Sequence, residues 1–380
     1  GEATAVNHPL AARRKHQIEV TMFIKQLAEL IEQKTAAGEF SGVVALWRQE
    51  ELLFSHTCGL AHRGFGIANT LDTRFRLASI GKLFTAVSTL QLIEQHKFQL
   101  NTPIHDLLDL RQSAIPANVT IFHLLTMSSG IADWFEESED WEAEWAALCR
   151  ENPIYLLRQN ADYLPLFSQK PSHFAAGERY QYNNAGFILL GLAIEVVSGM
   201  SYFDYVRQHV FAQAGMAGAD FIALDAIAPH LAEGYVAEKN PSGQTTWRKN
   251  IYSTTAEAAA DGGAVATAVD LYHFSAALRY GRLLTPASTQ AMLTPHVSES
   301  NELMRGCFWE YGFGNEFVFD PDKRLLRWGH TGEEDGVSGR FYHYPEHLLD
   351  VVILGNQSGC AGALAWEIHE LIQTSFPVAR

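Results

Sequence analysis

The stretch "RLASIGKLFTAV", residues 76–87, places Ser79 and Lys82 three positions apart where an apolar segment begins. Apolar residues recur every three or four positions after it, which predicts a helix that starts close to Ser79. Residues three apart share one helix face, so the amine can reach the hydroxyl. Unpaired backbone N–H groups at a helix start also favour developing negative charge. The pair is a candidate nucleophile and base, although a capping serine beside a solvated lysine has the same spacing.

Strand patterns are found towards both ends of the chain, on either side of a long helical middle. A helix is predicted over residues 19–36 and a β-hairpin over 42–61, and strand signals return between 311 and 357 before a helix at 362–376. Residues from about 101 to 232 have mainly helical patterns. These patterns predict an α+β fold in which both chain ends form one antiparallel sheet, flanked by helices, with an inserted helical subdomain.

The predicted domain organisation follows from the same patterns. We expect a single catalytic domain over residues 17–380, preceded by a lead-in at 1–16 that includes the basic run "ARRKH". Its α/β part takes up about 17–78 and 233–380. Its helical part takes up about 79–232.

Two further motifs offer polar side chains to a cleft. Tyr182 and Asn184 stand in a loop just before an apolar helix, so a phenol and an amide can face the same space. The run His330-Thr331-Gly332 ends a strand-like segment, where a polar pair followed by glycine lets a substrate backbone lie along the strand edge. Taken singly, the first motif is also compatible with helix capping and the second with a hairpin turn.

The order Ser-x-x-Lys, Tyr-x-Asn, His-Thr-Gly resembles that of serine β-lactamases and penicillin-binding-protein-type hydrolases, on the class C β-lactamase and esterase branch. The likeness runs from about Phe40 to the C-terminal helix, and it includes "TIFHLLTMSSGIADW" and "DGGAVATAVDLYHFSAALRYGRLLTP". It implies a β-lactamase/transpeptidase-like fold and a serine hydrolase that works through an acyl-enzyme. It implies no metal or cofactor.

The resemblance also assigns expected roles to the reactive residues. Ser79 is the expected nucleophile, and Lys82 and Tyr182 are expected to remove its proton, one as an amine and the other as a phenolate or relay. Which of the two is the base stays open. His330 is expected to polarise the proton network of Tyr182, and Asn184 to hydrogen-bond the amide or ester side of the substrate.

The expected oxyanion hole consists of the backbone N–H groups of Ser79 and Glu333, the residue that follows His-Thr-Gly. Thr331 and Gly332 complete the expected substrate-binding strand. The predicted substrate-binding residues are therefore Asn184, Thr331, Gly332 and Glu333.

Acidic residues around the motifs favour a neutral or cationic substrate. Glu333, Glu334 and Asp335 follow one another, and His330 stands where relatives have a lysine that helps to bind a substrate carboxylate. A second acidic run, residues 133–145, carries three tryptophans; it is either a solvated helix with its tryptophans inward or a lid that presents aromatic and negative surface. We therefore expect a small ester, amide or peptide substrate, such as an N-terminal D-amino acid amide.

Two other interpretations are weighed against the hydrolase. A related penicillin-recognising fold can act as a binding or sensor protein that is acylated without turnover. The segment "HYPEH", residues 343–347, matches a zinc-protease pattern, but Pro345 lies inside the helix that this pattern requires. The four scattered cysteines, Cys58, Cys149, Cys307 and Cys360, suggest neither a zinc site nor a disulfide framework.

Bulk properties exclude some partners. A formal net charge of −15 opposes nucleic acid binding. No apolar run reaches the roughly 18 residues of a membrane span. The chain opens on Gly1, so a signal peptide could have been removed, and cytoplasm and periplasm both stay possible. The oligomeric state is left open.

Overall fold

The fold is built around an antiparallel sheet that both ends of the chain form. The computed structural model describes residues 8–137 and 140–376, with side chains from Gln17 onward. Within these residues the sheet has eight strands in the order β2-β1-β14-β13-β12-β11-β10-β9. The predicted α+β class, with its sheet made from both chain ends, is confirmed. The strands of the protein are β1 Gly42–Arg48, β2 Glu51–Cys58, β3 Leu60–His62, β4 Ile67–Ala68, β5 Phe75–Arg76, β6 Tyr235–Lys239, β7 Thr245–Lys249, β8 Val265–Ala266, β9 Val297–Ser298, β10 Phe308–Tyr311, β11 Glu316–Phe319, β12 Leu325–Glu334, β13 Val337–Tyr344 and β14 Leu349–Gly355.

Both faces of the sheet are buried because apolar residues point to both sides of its central strands. On β1, Val43 and Ala45 face the helical middle of the chain, whereas Val44 and Leu46 face the two terminal helices. Successive strand residues alternate between faces, so an uninterrupted apolar strand is what a two-sided sheet requires. The sheet is therefore a middle layer between two sets of helices.

The helices divide between these two layers. The N- and C-terminal helices cover one face, and in the first of them Phe23, Leu27 and Ile31 form a fully buried stripe at four-residue spacing. Most of the remaining helices lie on the other side and pack around the helix that follows Ser79. The helices are α1 His8–Ala36, α2 Lys82–Glu94, α3 Ile121–Leu125, α4 Trp141–Glu151, α5 Leu164–Phe167, α6 Asn184–Ser198, α7 Tyr202–Val206, α8 Ala212–Ala214, α9 Ala268–Arg279, α10 Pro286–Met292 and α11 Gly362–Ser375.

Three local predictions need correction or restriction. Helix α1 begins at His8, so the helix predicted from residue 19 starts eleven positions earlier, and of the predicted lead-in only residues 1–7 lie outside the described residues. The β6–β7 hairpin was missed, because the segment from Ala217 to Trp247 carries no readable motif. The proposed division of the domain near residues 78 and 232 stays a prediction.

Two bulk features complete the fold. Among the described residues no single helix is long and apolar enough to cross a bilayer, although the bent pair α6 and Tyr202–Ala214 passes the same test when taken together. All four cysteines are free thiols.

Candidate active site

Ser79 lies in a short turn that leads directly into α2. Residues Ala78–Gly81 form a 3₁₀ turn, and Ala78 has a φ of +47°, in the left-handed region that residues with a Cβ rarely adopt. Gly263 donates its backbone N–H to the Ala78 carbonyl at 3.0 Å and so helps to hold this conformation. Ser79 is partly exposed, whereas Ala78 and Ile80 are buried. The turn thus presents the serine alone to solvent.

Strand β12 passes close to this turn, and its glycine makes the approach possible. A Cβ at Gly332 would lie 2.2 Å from the carbonyl oxygen of Leu77, so any side chain there would push strand and turn apart. Strand β11 pairs with β12 only as far as Gly329, and residues 330–334 pair with β13 alone. One edge of β12 is therefore open beside Ser79, as the His-Thr-Gly motif predicts.

Lys82 is fully buried and makes three hydrogen bonds. Its Nζ lies 2.8 Å from Ser79 Oγ, 2.8 Å from Asn184 Oδ1 and 2.7 Å from the backbone oxygen of Asp261. Burial lowers the pKa of the Lys82 amine, and nearby carboxylates, Asp261 first, oppose that shift without reversing it. The amine of Lys82 therefore hydrogen-bonds the hydroxyl of Ser79, in surroundings that favour the neutral amine.

Two carboxylates fix the orientation of Asn184. Its Nδ2 donates to Asp133 Oδ2 and to Glu137 Oε1, both at 3.2 Å. Its backbone N–H also donates to Asp133 Oδ2 at 2.7 Å. Because carboxylates only accept, they hold the NH₂ end of the amide and turn its oxygen towards Lys82.

Asp133 is a site residue that the sequence reasoning missed. It is buried, and it also accepts the backbone N–H of the next residue, Trp134, and that of Ala185 at the start of α6, each at 2.8 Å. Burial raises its pKa to about 7 despite these hydrogen bonds. Its place in "SSGIADW", at the end of a stretch that resembles the family, is the signal that could have found it.

Tyr182 lies close to both Lys82 and Ser79. Its ring centre lies 4.9 Å from Lys82 Nζ. Burial, and then the charge of Glu137, raise the pKa of Tyr182 well above its ordinary value, while a hydrogen-bonding interaction with Ser79 acts in the opposite direction. These surroundings favour the neutral phenol of Tyr182 over the phenolate.

His330 does not hydrogen-bond Tyr182. Its Nε2 accepts from the Tyr311 hydroxyl at 2.9 Å, its Nδ1 donates to the Thr331 carbonyl at 2.7 Å, and its ring lies 6.3 Å from that of Tyr182. Burial lowers the pKa of His330, which keeps the imidazole neutral. The hydrogen-bond partner of His330 is Tyr311, which the sequence reasoning missed, and the expected effect of His330 on the proton network of Tyr182 stays a prediction.

The remaining predicted substrate-binding residues line the open edge of β12. Thr331 donates its hydroxyl to Glu316 Oε1 at 3.2 Å. Glu333 accepts from Arg340 Nη1 and from Ser338 Oγ, both at 2.7 Å. The negative charge of Glu333 is therefore largely balanced within the protein.

The two acids that follow Glu333 are also partnered. Glu334 accepts from Thr254 Oγ1 at 2.8 Å and lies 3.9 Å from Arg76 Nε. Asp335 lies 3.3 Å from Arg248 Nη2. The acidic run after His-Thr-Gly is consequently less negative than its sequence suggests.

A cavity of about 390 Å³ opens above Ser79, with aromatic and acidic walls. Of the three tryptophans in the acidic run, Trp134 and Trp145 are buried and Trp141 is 39% exposed. Only Trp141 and Trp145 lie on α4, so the three tryptophans do not belong to one helix although their sequence spacing is helical; Ser138 and Glu139, also in this run, lie outside the described residues. The lining residues are Ser79, Trp134, Phe135, Glu137, Trp141, Trp145, Tyr163, Asn184, Thr255, Asp261, Gly262, Glu333 and Glu334.

The zinc-protease pattern does not form the helix that it needs. His343 lies in β13 and its Nδ1 bonds Asp350 Oδ1 at 2.9 Å, while Pro345–His347 forms a short 3₁₀ turn. Within residues 17–137 and 140–376, no three His, Cys, Asp or Glu side chains are grouped so as to hold a metal ion.

Several known proteins resemble this chain in sequence or in fold. Penicillin-binding protein 4* of Bacillus subtilis (strain 168) is 26% identical over 347 residues, which cover 88% of this chain and 72% of that protein. A D-aminopeptidase of Brucella anthropi is 26% identical over 333 residues, 87% of this chain but only 58% of the relative. The crystal structure of a penicillin binding protein from Bacillus halodurans superposes with a TM-score of 0.81 at 36% identity, covering 91% of this chain and 99% of that one.

The match to a family model is equally broad. Residues 27–371, which include every element of the candidate site, match the model described as Beta-lactamase. The short motifs, the antiparallel sheet and the turn that carries Ser79 are thus parts of one continuous likeness. The chain belongs to the Beta-lactamase family and is a serine hydrolase.

Proposed function

We propose that this hydrolase cleaves amides or esters, including peptides, through an acyl-enzyme on Ser79, with Lys82 as the base. The observation that carries the proposal is the set of three contacts made by Lys82 Nζ. A neutral amine has two N–H groups and one lone pair. The Asn184 and Asp261 oxygens only accept hydrogen bonds, so they take the two N–H groups, and the lone pair faces the Ser79 hydroxyl.

The proposed reaction then runs in two halves. Ser79 Oγ attacks the carbonyl carbon and its proton passes to Lys82, while backbone N–H groups of Ser79 and Glu333 stabilise the oxyanion. As the bond to the leaving group breaks, the proton reaches that group through the Tyr182 hydroxyl. Water then attacks the acyl ester, gives one proton back through Lys82 to Ser79, and releases the acid.

In this scheme Asn184 and His330 are positioning residues. Both ends of the Asn184 amide are already engaged, so its proposed role is to aim the Lys82 lone pair and not to bind substrate. His330 accepts from Tyr311 and supports the wall behind Tyr182. Thr331 and Gly332 are proposed to pair with the substrate backbone along the open edge of β12.

The proposed substrate carries a neutral or positive group near the bond that is cleaved. Among the described residues that line the cavity there are four carboxylates and no Lys, Arg or His. A substrate carboxylate would meet like charge, which costs on the order of 1 kcal/mol at a few Å in water. The name of the Brucella anthropi relative, D-aminopeptidase, supports a substrate with a free amine. The alternative of a sensor that is acylated without turnover is not favoured, because a base and a proton relay both adjoin Ser79.

A labelling and turnover experiment tests the proposal. The protein and its Ser79→Ala variant are treated with a fluorophosphonate probe, and then assayed with a cationic amino acid p-nitroanilide, a neutral p-nitrophenyl ester and a cephalosporin. We expect labelling that needs Ser79, with multiple turnovers on the first two substrates and slower turnover of the anionic cephalosporin. Labelling without turnover would support the sensor, and a preference for the cephalosporin would contradict the proposed substrate charge.

A further inference from the structure

The cavity above Ser79 has one wall made of aromatic rings. Trp134 packs edge-on against Trp145 at 5.8 Å between ring centres and against Tyr163 at 5.0 Å, and Phe135 meets Trp145 at 4.9 Å. These mutual contacts hold the rings in place before any ligand arrives. Aromatic faces attract cations, most strongly where water is partly excluded.

The carboxylates of the cavity differ in what already holds them. Glu333 is paired with Arg340, and Glu334 lies between Thr254 and Arg76. Asp261 is buried, and its Oδ2 accepts from Trp134 Nε1 at 2.9 Å. Each of these three acids thus has an internal partner or little access to a ligand.

Glu137 is the exception among the described lining residues. It is exposed to the cavity mouth, its hydrogen bond is the one from Asn184 Nδ2, and no described Lys, Arg or His forms an ion pair with it. Its pKa is raised, chiefly because the surrounding protein reduces its hydration, and the charge of Lys82 acts in the opposite direction. A carboxylate in such surroundings is stabilised by a cation that comes with the ligand.

We infer that Glu137 and the aromatic wall form a binding site for an ammonium group that lies next to the carbonyl attacked by Ser79. The position follows from one side chain: the Asn184 amide touches Glu137 with its nitrogen and Lys82 with its oxygen, and Lys82 touches Ser79. An amine on the carbon next to the attacked carbonyl would therefore reach Glu137. An amine at the end of a long substrate side chain would extend beyond Glu137. The inference rests on the proposed function, and it names α-amino amides and peptides with a free N-terminal amine as the substrate class.

A binding experiment without turnover tests the site separately from catalysis. Alaninamide (each enantiomer) and propionamide, which lacks the amine, are titrated by calorimetry into the Ser79→Ala variant and into the double variant with Glu137→Gln. We expect Ser79→Ala to bind one enantiomer of alaninamide at least tenfold more tightly than propionamide. We expect the double variant with Glu137→Gln to lose most of that preference. Loss of a hydrogen bond to a charged group typically costs about 10- to 100-fold. Equal binding of the two amides, or a preference that survives Glu137→Gln, would overturn the inference.

A kinetic experiment with a matched control completes the test. Glu142→Gln removes a carboxylate from the same acidic segment, but Glu142 lines a neighbouring cavity and not the one above Ser79. Because Glu137 also helps to orient Asn184, we expect Glu137→Gln to lower kcat/KM somewhat on propionic acid p-nitroanilide and about 10- to 100-fold further on alanine p-nitroanilide, while Glu142→Gln leaves both near wild type. Equal losses on both substrates would overturn the ammonium site. Tight alaninamide binding by Ser79→Ala with no turnover of any amide or ester by the wild type would instead overturn the proposed function alone.

Discussion

The buried centre around Lys82 and the cavity mouth around Glu137 use carboxylates in different ways. In the centre, Asp133 accepts four N–H groups and is closed to solvent. At the mouth, Glu137 has a single described hydrogen bond and lines the cavity. A carboxylate whose oxygens all accept hydrogen bonds from the protein holds the neighbouring groups in place. A carboxylate with few such bonds can still accept hydrogen bonds from a ligand. The chemistry and the selectivity of this hydrolase are therefore expected to respond to different substitutions.

Substitution of Lys82 should have the largest effect, because it removes the base from the centre. Lys82→Met keeps an unbranched side chain but has no lone pair on nitrogen, and we expect kcat/KM to fall by about 10²- to 10⁴-fold on every substrate. Lys82→Arg should not restore activity, since a guanidinium is not deprotonated in proteins. Steady-state kinetics on an ester and an amide measure both. Near-wild-type activity of Lys82→Arg would show that the base lies elsewhere.

Asp133→Asn should have the next largest effect on activity. The new amide places an NH₂ group against backbone or side-chain donors, so Asn184 loses part of its support and its oxygen is no longer fixed towards Lys82. We expect kcat to fall roughly 10- to 100-fold with little change in KM, as for loss of a charge-assisted hydrogen bond. Asp109→Asn, which changes an exposed acid paired with Arg111, is the control and should keep wild-type kinetics. An Asp133→Asn variant as active as this control would mean that Asp133 does not position the base.

The same residue should also give a pH-dependent stability. The pKa of Asp133 is raised from 3.8 to about 7, so between these values the folded protein binds a proton that the unfolded chain has lost. Its contribution is therefore fully present below about pH 4 and is lost as pH rises to about 7. Each unit of pKa shift corresponds to roughly 1.4 kcal/mol. Urea unfolding at several pH values should show the difference between wild type and Asp133→Asn shrinking with rising pH, and a constant difference would contradict the raised pKa.

Substitution of Trp141, at the mouth of the cavity, should have the smallest effect on activity. Trp141 is 39% exposed, so Trp141→Ala should change the free energy of unfolding by only about 1 kcal/mol. We expect kcat/KM to fall a few-fold for a substrate with a free amine and to stay unchanged for a neutral one, since a cation–π contact contributes roughly 0.5–2 kcal/mol. Tyr252→Ala, an exposed aromatic residue outside the cavity lining, is the control. An equal loss on both substrates would mean that Trp141 shapes the cavity without contacting the cation.

The difference between the two regions also explains what the sequence could and could not predict. Ser79 and Lys82 are three positions apart on one turn, so local periodicity is enough to find them. Asp133 reaches Asn184 across 51 positions and Asp261 reaches Lys82 across 179, and no local pattern connects such residues. Resemblance placed these segments near the site but did not single out their acids.

The other differences between prediction and structure also arise from contacts or extensions that no local pattern shows. The partner of His330 could not be predicted because Tyr311 belongs to another strand, whose register only the assembled sheet defines. Helix α1 extends back to His8 although the apolar stripe of Phe23, Leu27 and Ile31 begins much later, since a helix can continue beyond the face that anchors it. Trp134 shares the spacing of α4 without being part of it.

The charge state of Lys82 is the central claim, and its direct titration tests it best. Protein with isotope-labelled lysine is followed by NMR as pH rises, and the resonance that disappears in Lys82→Met identifies the residue. A midpoint well below the ordinary lysine value of 10.5 is the expected result, because the buried amine is then available to take the proton of Ser79. A midpoint at or above 10.5 would mean that Lys82 stays an ammonium throughout, and that another group activates the serine.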